Sequence, residues 1–362
     1  MRIEGFDLYR YELALSEPVT LKGTTLHRRE GSLIRLTAED GHEGWGEAAP
    51  LPYFSPESLE DTIEHLRATA PELVGRRMPE DIQKSDNGPV LELASLSPSA
   101  RFGLEVALLN LHAACRGEAL PDLRSDDPTK TIYTNGLISG SLEKMLVEAF
   151  SMGEAGYRAV KLKVGRRKVY EDMEVVRRVG EILGGGVSLR LDANRAWGFE
   201  EALEFAGGIS GTRIEYVEEP LAAPARLGEL AREWGLPVAL DESLVGMLPE
   251  DLGRHAYARA VVLKPTLLGG VSRVLGFAER AKALGMAAVV SSSYEGGVGM
   301  GALVALAASV GEEPAGLDTY RALAEDVIEA PLPLPAPTVD VREAMEAART
   351  VDVNRLQPLS LR

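Results

Sequence analysis

Tyr157-Arg158-Ala159-Val160-Lys161-Leu162-Lys163-Val164-Gly165 is the stretch around which the rest of the chain can be interpreted. It is short and apolar at alternate positions, and a charged helical pattern follows it, so it predicts a strand that leads into a helix. Side chains alternate along a strand, which puts Lys161 and Lys163 on one face. Neighbouring ammonium groups in apolar surroundings lower a lysine pKa, as a catalytic base requires. Lysines that protect an edge strand from aggregation would give the same pattern.

Composition and charge restrict the function classes. The chain has 362 residues, of which 45% are hydrophobic and 26% charged, as expected for an ordinary globular protein with room for two domains. A formal net charge of −16 argues against nucleic-acid or anionic-membrane partners, but it leaves room for an anionic small molecule in a cleft of opposite sign. Cys115 is the single cysteine, no signal-peptide pattern opens the chain and no apolar run is long enough for a membrane span. We therefore expect a cytoplasmic protein.

Residues 1–125 are predicted to form an α+β capping domain. Strand patterns that suit an antiparallel sheet occur at Ile3–Leu15, Ser32–Ala38 and Gly41–Ala49. Two segments are expected to be loops, Leu21–Gly31 and Pro50–Pro56, with a helix beginning at Ser55. Helical patterns follow at roughly 57–70, 79–86 and 98–116.

Residues 126–324 change to short apolar runs that alternate with helical segments. Eight such runs predict strands, at Thr131–Ile138, Tyr157–Val164, Val187–Asn194, Ile214–Pro220, Pro237–Ser243, Ala260–Pro265, Ala287–Ser293 and Ala315–Thr319. The repeated crossovers favour an α/β fold with a parallel barrel over an open sheet. No Gly-rich phosphate-binding fingerprint follows the first strand, which argues against a dinucleotide site. The tail, residues 325–362, is Pro-rich and then helical, and we expect it to pack on the cap.

Three successive barrel strands end in a carboxylate, at Asp192, Glu218 and Asp241. Glu218 is preferred to its neighbour Glu219 as the second acid, because it is two residues from Tyr216 and so lies on the same face of the strand. The carboxyl ends of barrel strands meet at one face, so three converging anions need a cation between them. Oxygen ligands favour Mg²⁺, with Mn²⁺ as a substitute, and no histidine lies at a strand end to suggest zinc.

A lysine also closes the sixth barrel strand, in Leu263-Lys264-Pro265. Strands two and six lie opposite each other in a ring of eight. Lys163 and Lys264 are therefore predicted to face one another across a bound substrate, although a surface lysine with its ammonium in water is the alternative for Lys264.

Five short motifs resemble those of the enolase superfamily, muconate-lactonising subgroup. They are Lys161-Leu162-Lys163, Asp192-Ala193-Asn194, Glu218-Glu219-Pro220, Asp241-Glu242-Ser243 and Lys264-Pro265. Within that subgroup the chain most resembles the o-succinylbenzoate synthase family, through segments such as Gly46–Pro52, Leu189–Trp197, Ser291–Ser293 and Gly316–Thr319. The family often carries Ser after the Glu that follows the triple serine, where this chain has Gly296.

This resemblance implies a Mg²⁺-dependent syn-dehydration of 2-succinyl-6-hydroxy-2,4-cyclohexadiene-1-carboxylate, through a metal-stabilised enediolate, on the route to menaquinone. Asp192, Glu218 and Asp241 would hold the metal. Lys163 would be the base, Lys264 would stabilise the intermediate from the opposite face, and Lys161 would add positive charge. The implied substrate contacts are Ser291, Ser293, Tyr53 and Phe54, although packing between the cap and the barrel is the alternative for Tyr53 and Phe54. The implied supporting residues around the metal ligands are Arg190, Asn194 and Glu242. The implied fold is a modified TIM barrel of the (β/α)7β type, and the loops at 20–31 and 51–57 would close over its mouth.

Besides dehydration, the residues remain compatible with two other reactions. Opposed lysines would also suit an N-acylamino-acid racemase or a cycloisomerase on the same frame. A dipeptide epimerase is disfavoured because Leu317-Asp318-Thr319 lacks the Asp-x-Asp element that resemblance leads us to expect on the last strand. A non-catalytic ligand-binding barrel is disfavoured because no ligand or base position is substituted. The sequence does not predict the oligomeric state.

Overall fold

The computed structural model describes residues 1–77, 95–118 and 131–361. Its strands are β1 (Ile3–Leu21), β2 (Thr24–Ala38), β3 (Glu43–Ala48), β4 (Thr131–Tyr133), β5 (Asn135–Ile138), β6 (Ala159–Lys163), β7 (Ser188–Asp192), β8 (Tyr216–Glu218), β9 (Val238–Leu240), β10 (Ala260–Leu263), β11 (Ala287–Val290), β12 (Thr338–Asp340) and β13 (Gln357–Leu359). Its α-helices are α1 (Leu59–Leu73), α2 (Pro98–Arg116), α3 (Leu142–Ala155), α4 (Val169–Leu183), α5 (Phe199–Gly208), α6 (Leu227–Trp234), α7 (Pro265–Leu268), α8 (Val271–Ala283), α9 (Gly297–Val310) and α10 (Val341–Ala348).

The cap contains an antiparallel sheet in the order β13-β1-β2-β3. The predicted loop Leu21–Gly31 was wrong, because β1 and β2 continue as a long hairpin that turns at Lys22 and Gly23. Both turn residues have positive φ, 44° and 84°, as a tight hairpin turn requires. The far end of this hairpin is largely exposed on both faces, so its sequence lacks the apolar alternation that marks a half-buried strand.

Helix α1 begins later than the sequence suggested. Ser58 is its N-cap and forms a reciprocal capping box with Asp61, whereas the Ser55 hydroxyl accepts a hydrogen bond from the Leu51 amide at 2.9 Å. Helix α2 then packs directly on β3. A Cβ atom on Gly46 would lie 1.9 Å from the Gly103 carbonyl oxygen, so glycine permits this close contact. The predicted helix 79–86 lies outside the described residues.

The barrel is a parallel sheet in which β5 to β11 are hydrogen-bonded in chain order. The predicted fold class is confirmed, but two of its strands differ from expectation. The first predicted strand is divided at Thr134, since β4 pairs with β12 and only β5 joins the barrel. The last predicted strand, Ala315–Thr319, is not a regular strand, and it closes the ring through single bridges from Ala315 to Thr134 and from Gly316 to Ser291.

The C-terminal tail contacts both parts of the molecule. Strand β13 pairs antiparallel with β1, with Leu359 opposite Leu8, and so extends the cap sheet. Helix α10 packs on barrel helix α9, where a Cβ atom on Gly301 would lie 2.3 Å from that of Ala348. A division into residues 1–125, 126–324 and 325–362 remains our proposal, and its first boundary lies outside the described residues.

Candidate active site

The three strand-end carboxylates lie side by side because their strands are in register. Lys163 on β6 is paired with Asp192 on β7, and Asp192 is paired with Glu218 on β8. Asp241 follows the end of β9. The exposed fractions of Asp192, Glu218 and Asp241 are 1%, 1% and 3%, so three acids are buried at one end of the barrel. Buried carboxylates require partners of opposite charge.

Each acid has a lysine partner. The Lys161 ammonium lies 3.0 Å from Glu218 Oε2 and 3.2 Å from Asp192 Oδ2. Lys163 Nζ is 2.6 Å from Asp192 Oδ2, and Lys264 forms an ion pair with Asp241. Lys163 and Lys264 come from β6 and from the end of β10, which are four positions apart in the ring, and both line one cavity. The predicted lysines and acids are thus brought together.

The lysines differ in how burial and charge affect their pKa values. Burial lowers the pKa of Lys163, and the ammonium groups of Lys161 and Lys264 lower it further against the opposing effect of Asp192. Burial also opposes the charge of Lys161, but Glu218, Asp192 and Asp241 outweigh it and raise its pKa. The pKa of Lys264 is raised as well, mainly by Asp241 against burial. Lys163 is therefore the lysine best suited to act as a base.

The acids also differ. Burial alone would raise the pKa of Asp192, but Lys163, Lys161 and Lys264 together lower it. Burial raises the pKa of Glu218 to about 8, and the neighbouring Asp192 and Asp241 carboxylates add to this effect. Three acids this close together do not all ionise readily without added positive charge.

Lys163, Asn194 and Glu242 form a chain of hydrogen bonds. Lys163 Nζ donates to Asn194 Oδ1 at 2.8 Å, and Asn194 Nδ2 donates to Glu242 Oε1 at 3.1 Å. Burial raises the pKa of Glu242 to about 7, with Asp241 as a second cause. Asn194 has a φ of 44°, so the chain turns sharply here to point the amide at both partners.

Glu219 has a structural contact that the sequence did not reveal. One of its oxygens accepts hydrogen bonds from the backbone amides of Asp241 and Ser243, at 3.0 and 2.7 Å. The other accepts from the Ser243 hydroxyl at 2.9 Å and from Arg195 at 3.0 Å. Glu218 contacts Lys161, while Glu219 holds the segment that carries Asp241.

The donor set fits a hard divalent cation, because the three clustered acids offer only oxygen. Within the described residues, only Asp40, His42 and Cys115, on the cap surface, bring three ligand atoms within 4.8 Å of one another. The barrel carboxylates are therefore spaced more widely than that while the lysines hold them.

A cavity of about 340 Å³ opens above the lysines. Ser291, Ser293 and Phe54 line it, whereas Tyr53 is 53% exposed and does not. The Ser291 hydroxyl donates to the Gly316 carbonyl at 3.3 Å. The Ser293 hydroxyl is buried and has no hydrogen-bond partner among the described residues, which leaves it available to a ligand.

Arg190 lies deeper in the barrel than Asp192, Glu218 and Asp241. It is fully buried and pairs with Glu215, at 2.9 and 3.1 Å, and with Glu313 at 3.3 Å. It also donates to Asn135 at 3.2 Å and to the Pro314 carbonyl at 2.6 Å. Arg190 thus joins strands at the place where the irregular eighth segment closes the ring, and among the described residues it has no recorded contact with the three acids.

The loop after β11, Ser291–Gly296, is held by the cap through residues that the sequence did not single out. Arg29 is buried and donates to the carbonyls of Tyr294, at 3.0 Å, and Pro50, at 2.9 Å. Glu47 is fully buried and accepts from the amides of Gly296 and Gly299, at 2.6 and 2.8 Å. A charged residue inside an apolar strand, as in Gly46-Glu47-Ala48, was the signal that could have revealed Glu47.

Two family models match the chain. One, described as "Enolase C-terminal domain-like", matches residues 144–345, and the other, described as "MenC, N-terminal domain", matches residues 3–111. The first covers the barrel from α3 onward, including its lysines and acids, and the second covers most of the cap. Together they place the chain among the enzymes of the enolase superfamily.

Comparison with individual relatives supports the same assignment. The o-succinylbenzoate synthase of Vibrio cholerae is 34% identical over 86% of this chain and 88% of its own length. That of Haemophilus influenzae is 31% identical over 94% of this chain and 97% of its own. The chain therefore belongs to the o-succinylbenzoate synthase family of the enolase superfamily.

Solved structures show the same fold in enzymes of other activities. A muconate lactonizing enzyme from Pseudomonas fluorescens, complexed with muconolactone, is 25% identical, with a TM-score of 0.81 over 98% of each chain. A dipeptide epimerase from Enterococcus faecalis, complexed with Mg and L-Leu-L-Tyr, is 21% identical, with a TM-score of 0.83 over 94% of this chain and 97% of its own.

Among the described helices of this chain, none combines the length and apolarity needed to span a membrane.

Proposed function

We propose that this enzyme dehydrates 2-succinyl-6-hydroxy-2,4-cyclohexadiene-1-carboxylate to o-succinylbenzoate, a step of menaquinone biosynthesis. The observation that carries the proposal is the opposition of Lys163 and Lys264 across one cavity, above three buried carboxylates. Family membership supports this reaction over others on the same frame, because relatives with this name match nearly the whole chain.

Asp192, Glu218 and Asp241 would hold Mg²⁺, with Mn²⁺ as a substitute. When bound, the ion would neutralise charge on the substrate carboxylate and make the adjacent ring proton easier to remove. Because the acids are buried, water would screen the attraction between the ion and the substrate carboxylate only weakly. Asn194 and Glu242 would hold the surrounding side chains in place through the hydrogen bonds described above.

Lys163 would carry out both proton transfers. As the neutral amine it takes the proton from the ring carbon that carries the carboxylate. As the ammonium it returns that proton to the hydroxyl leaving from the same face, so that water departs and the ring becomes aromatic. The lowered pKa of Lys163 is consistent with the neutral amine that the first transfer needs.

Lys264 would remain charged, as its raised pKa favours, and stabilise negative charge on the substrate from the opposite face. Lys161, paired with Glu218 and Asp192, would add positive charge beside the base. Ser293 and Phe54 would contact the substrate from the cavity wall.

A racemase of N-acylamino acids is the second candidate, because opposed lysines could remove and deliver a proton on either face of a carbon atom. The discriminating experiment follows loss of cyclohexadiene absorbance with Mg²⁺, beside racemisation of N-succinyl amino acids by the same preparation. Dehydration with a kcat/KM at least about 100-fold above that of racemisation is expected. Racemisation without dehydration would overturn the proposal.

A further inference from the structure

A second cavity adjoins the one above the lysines. The first has a volume of about 340 Å³ and the second of about 360 Å³. Their walls share several residues, among them Lys163, Arg166, Tyr294 and Thr319. A ligand whose reacting carbon lies at Lys163 can therefore extend past Arg166 into the second space.

Cations outnumber acids on the wall of the first cavity, although the chain carries a net charge of −16. Its charged residues are Lys22, Lys161, Lys163, Arg166, Lys264 and one acid, Asp318. The acids below the cavity pair with Lys161, Lys163 and Lys264. Asp318 pairs with Arg321 at 3.4 Å. Lys22 and Arg166 therefore have no carboxylate partner within the parts of the chain that the structure describes.

Arg166 is the freer of these two cations. The Lys22 ammonium donates to the Tyr53 carbonyl at 2.9 Å and lies 4.2 Å from the centre of the Phe54 ring, so it is already engaged with the cap. The exposed Arg166 guanidinium has neither a hydrogen bond nor an ion pair among the described residues. Arg166 and Tyr294 line both cavities. Burial raises the pKa of Tyr294, and the positive charge of Arg166 opposes this rise. A planar guanidinium with free donors suits a carboxylate, which it can bind through two oxygens.

We propose that Arg166 binds a second carboxylate of the substrate, at the boundary between the two cavities, while the first carboxylate lies at the barrel floor. This inference rests on the proposed function, since it takes the substrate to be a dicarboxylate that carries its second acid on a flexible tail. Arg166 then sets specificity for the tail and takes no part in proton transfer.

The test compares Arg166→Met with Lys168→Met, which removes the same charge from the same loop at a position that lines neither cavity. Two probes are titrated calorimetrically in Mg²⁺, o-succinylbenzoate and its tail amide, 4-(2-carboxyphenyl)-4-oxobutanamide. Arg166→Met is expected to weaken the dianion about 10-fold and leave the amide unchanged, because only the dianion has the second charge. Lys168→Met should change neither, and Arg166→Lys should recover part of the loss.

The kinetic experiment separates this inference from the proposed function. With the cyclohexadiene substrate, Arg166→Met should raise KM about 10-fold while kcat changes much less, as for a contact that is equal in the ground and transition states. Unchanged KM, or equal weakening of both probes, would overturn the role of Arg166 and leave the dehydratase in place. Absence of dehydration by the wild-type enzyme would instead overturn the proposed function.

Discussion

The floor of the cavity and the loop after β11 are held in different ways. At the floor, Lys161, Lys163 and Lys264 pair with acids at the ends of other barrel strands, so each of these ion pairs lies within the barrel. The loop above it is held by Arg29 and Glu47, which come from the cap and contact backbone groups. The ion pairs of the floor are therefore formed by the barrel alone, while the loop above the floor is held by contacts between the barrel and the cap.

The same contrast is visible in the type of contact. The contacts at the floor are ion pairs between side chains. Hydrogen bonds from a buried side chain to backbone atoms fix the path of the chain instead. We expect substitutions at the floor to abolish turnover without unfolding the enzyme, and substitutions under the loop to affect stability and turnover together.

The largest effect on turnover is expected from Lys163→Ala. General acid–base catalysis contributes about 10²–10⁴-fold, and this lysine would serve both transfers, so kcat should fall at least about 10³-fold. Circular dichroism and a Mg²⁺ titration should match those of the wild type. Turnover within 10-fold of the wild type would contradict the role of Lys163 as the base.

Asp241→Asn is expected to act on the metal. Loss of residues that only orient a metal ligand typically costs 10–100-fold in affinity, so loss of a ligand should weaken Mg²⁺ binding by about 100-fold or more. Turnover should recover in part at high Mg²⁺ concentration, and a titration of rate against Mg²⁺ measures this. If the Mg²⁺ dependence were unchanged, the ligand set would be wrong.

Arg29→Met would extend the comparison to the loop. It leaves buried carbonyls at Pro50 and Tyr294 without their donor, and hydrogen bonds to charged groups contribute about 1.5–3 kcal/mol each. We expect the free energy of unfolding to fall by about 3 kcal/mol and kcat/KM to fall about 10-fold, with Mg²⁺ affinity unchanged.

The matched control for Arg29 is Arg28→Met. Arg28 is the neighbouring residue, and its side chain is 61% exposed and pairs only with the exposed Glu12 among the described residues. Such surface pairs contribute at most about 1 kcal/mol. Equal effects of the two substitutions on denaturant unfolding would show that the contacts of Arg29 do not fix the loop.

The smallest expected effect is on the way the free energy of unfolding changes with pH, and it concerns Glu47. Burial raises the pKa of Glu47 to about 7, against a usual value of 4.5. Between these pH values the folded state binds more protons than the unfolded state, so this residue lowers stability as pH rises through the window, by up to about 1.4 kcal/mol per pH unit. Glu47→Gln should flatten this slope in denaturant melts at pH 5, 6 and 7. An unchanged slope would mean that Glu47 does not titrate there.

Much of the floor could be predicted from the sequence, because a barrel fixes where the ends of its strands lie. Once Asp192, Glu218 and Asp241 were placed at the ends of successive strands, their proximity followed from the fold. Lys163 and Lys264 followed in the same way from their positions in the ring. Local pattern and fold rules were sufficient in this region.

The loop contacts could not be predicted, because they join residues far apart in the chain. Arg29 and Tyr294 are 265 positions apart, and Glu47 and Gly299 are 252 apart. No periodic pattern connects such pairs. The exposed hairpin arm and the irregular eighth segment were misjudged for a related reason, since neither is a half-buried strand and both depend on neighbours for their shape.

The pairing of β13 with β1 has a consequence for synthesis of the protein. Leu8 cannot meet Leu359 until translation has reached the last strand. At about 5–20 residues per second, one edge of the cap sheet waits on the order of tens of seconds for its partner after β1 leaves the ribosome. During that interval β1 presents an unpaired edge, which makes the nascent chain a candidate for chaperone binding before the enzyme is complete.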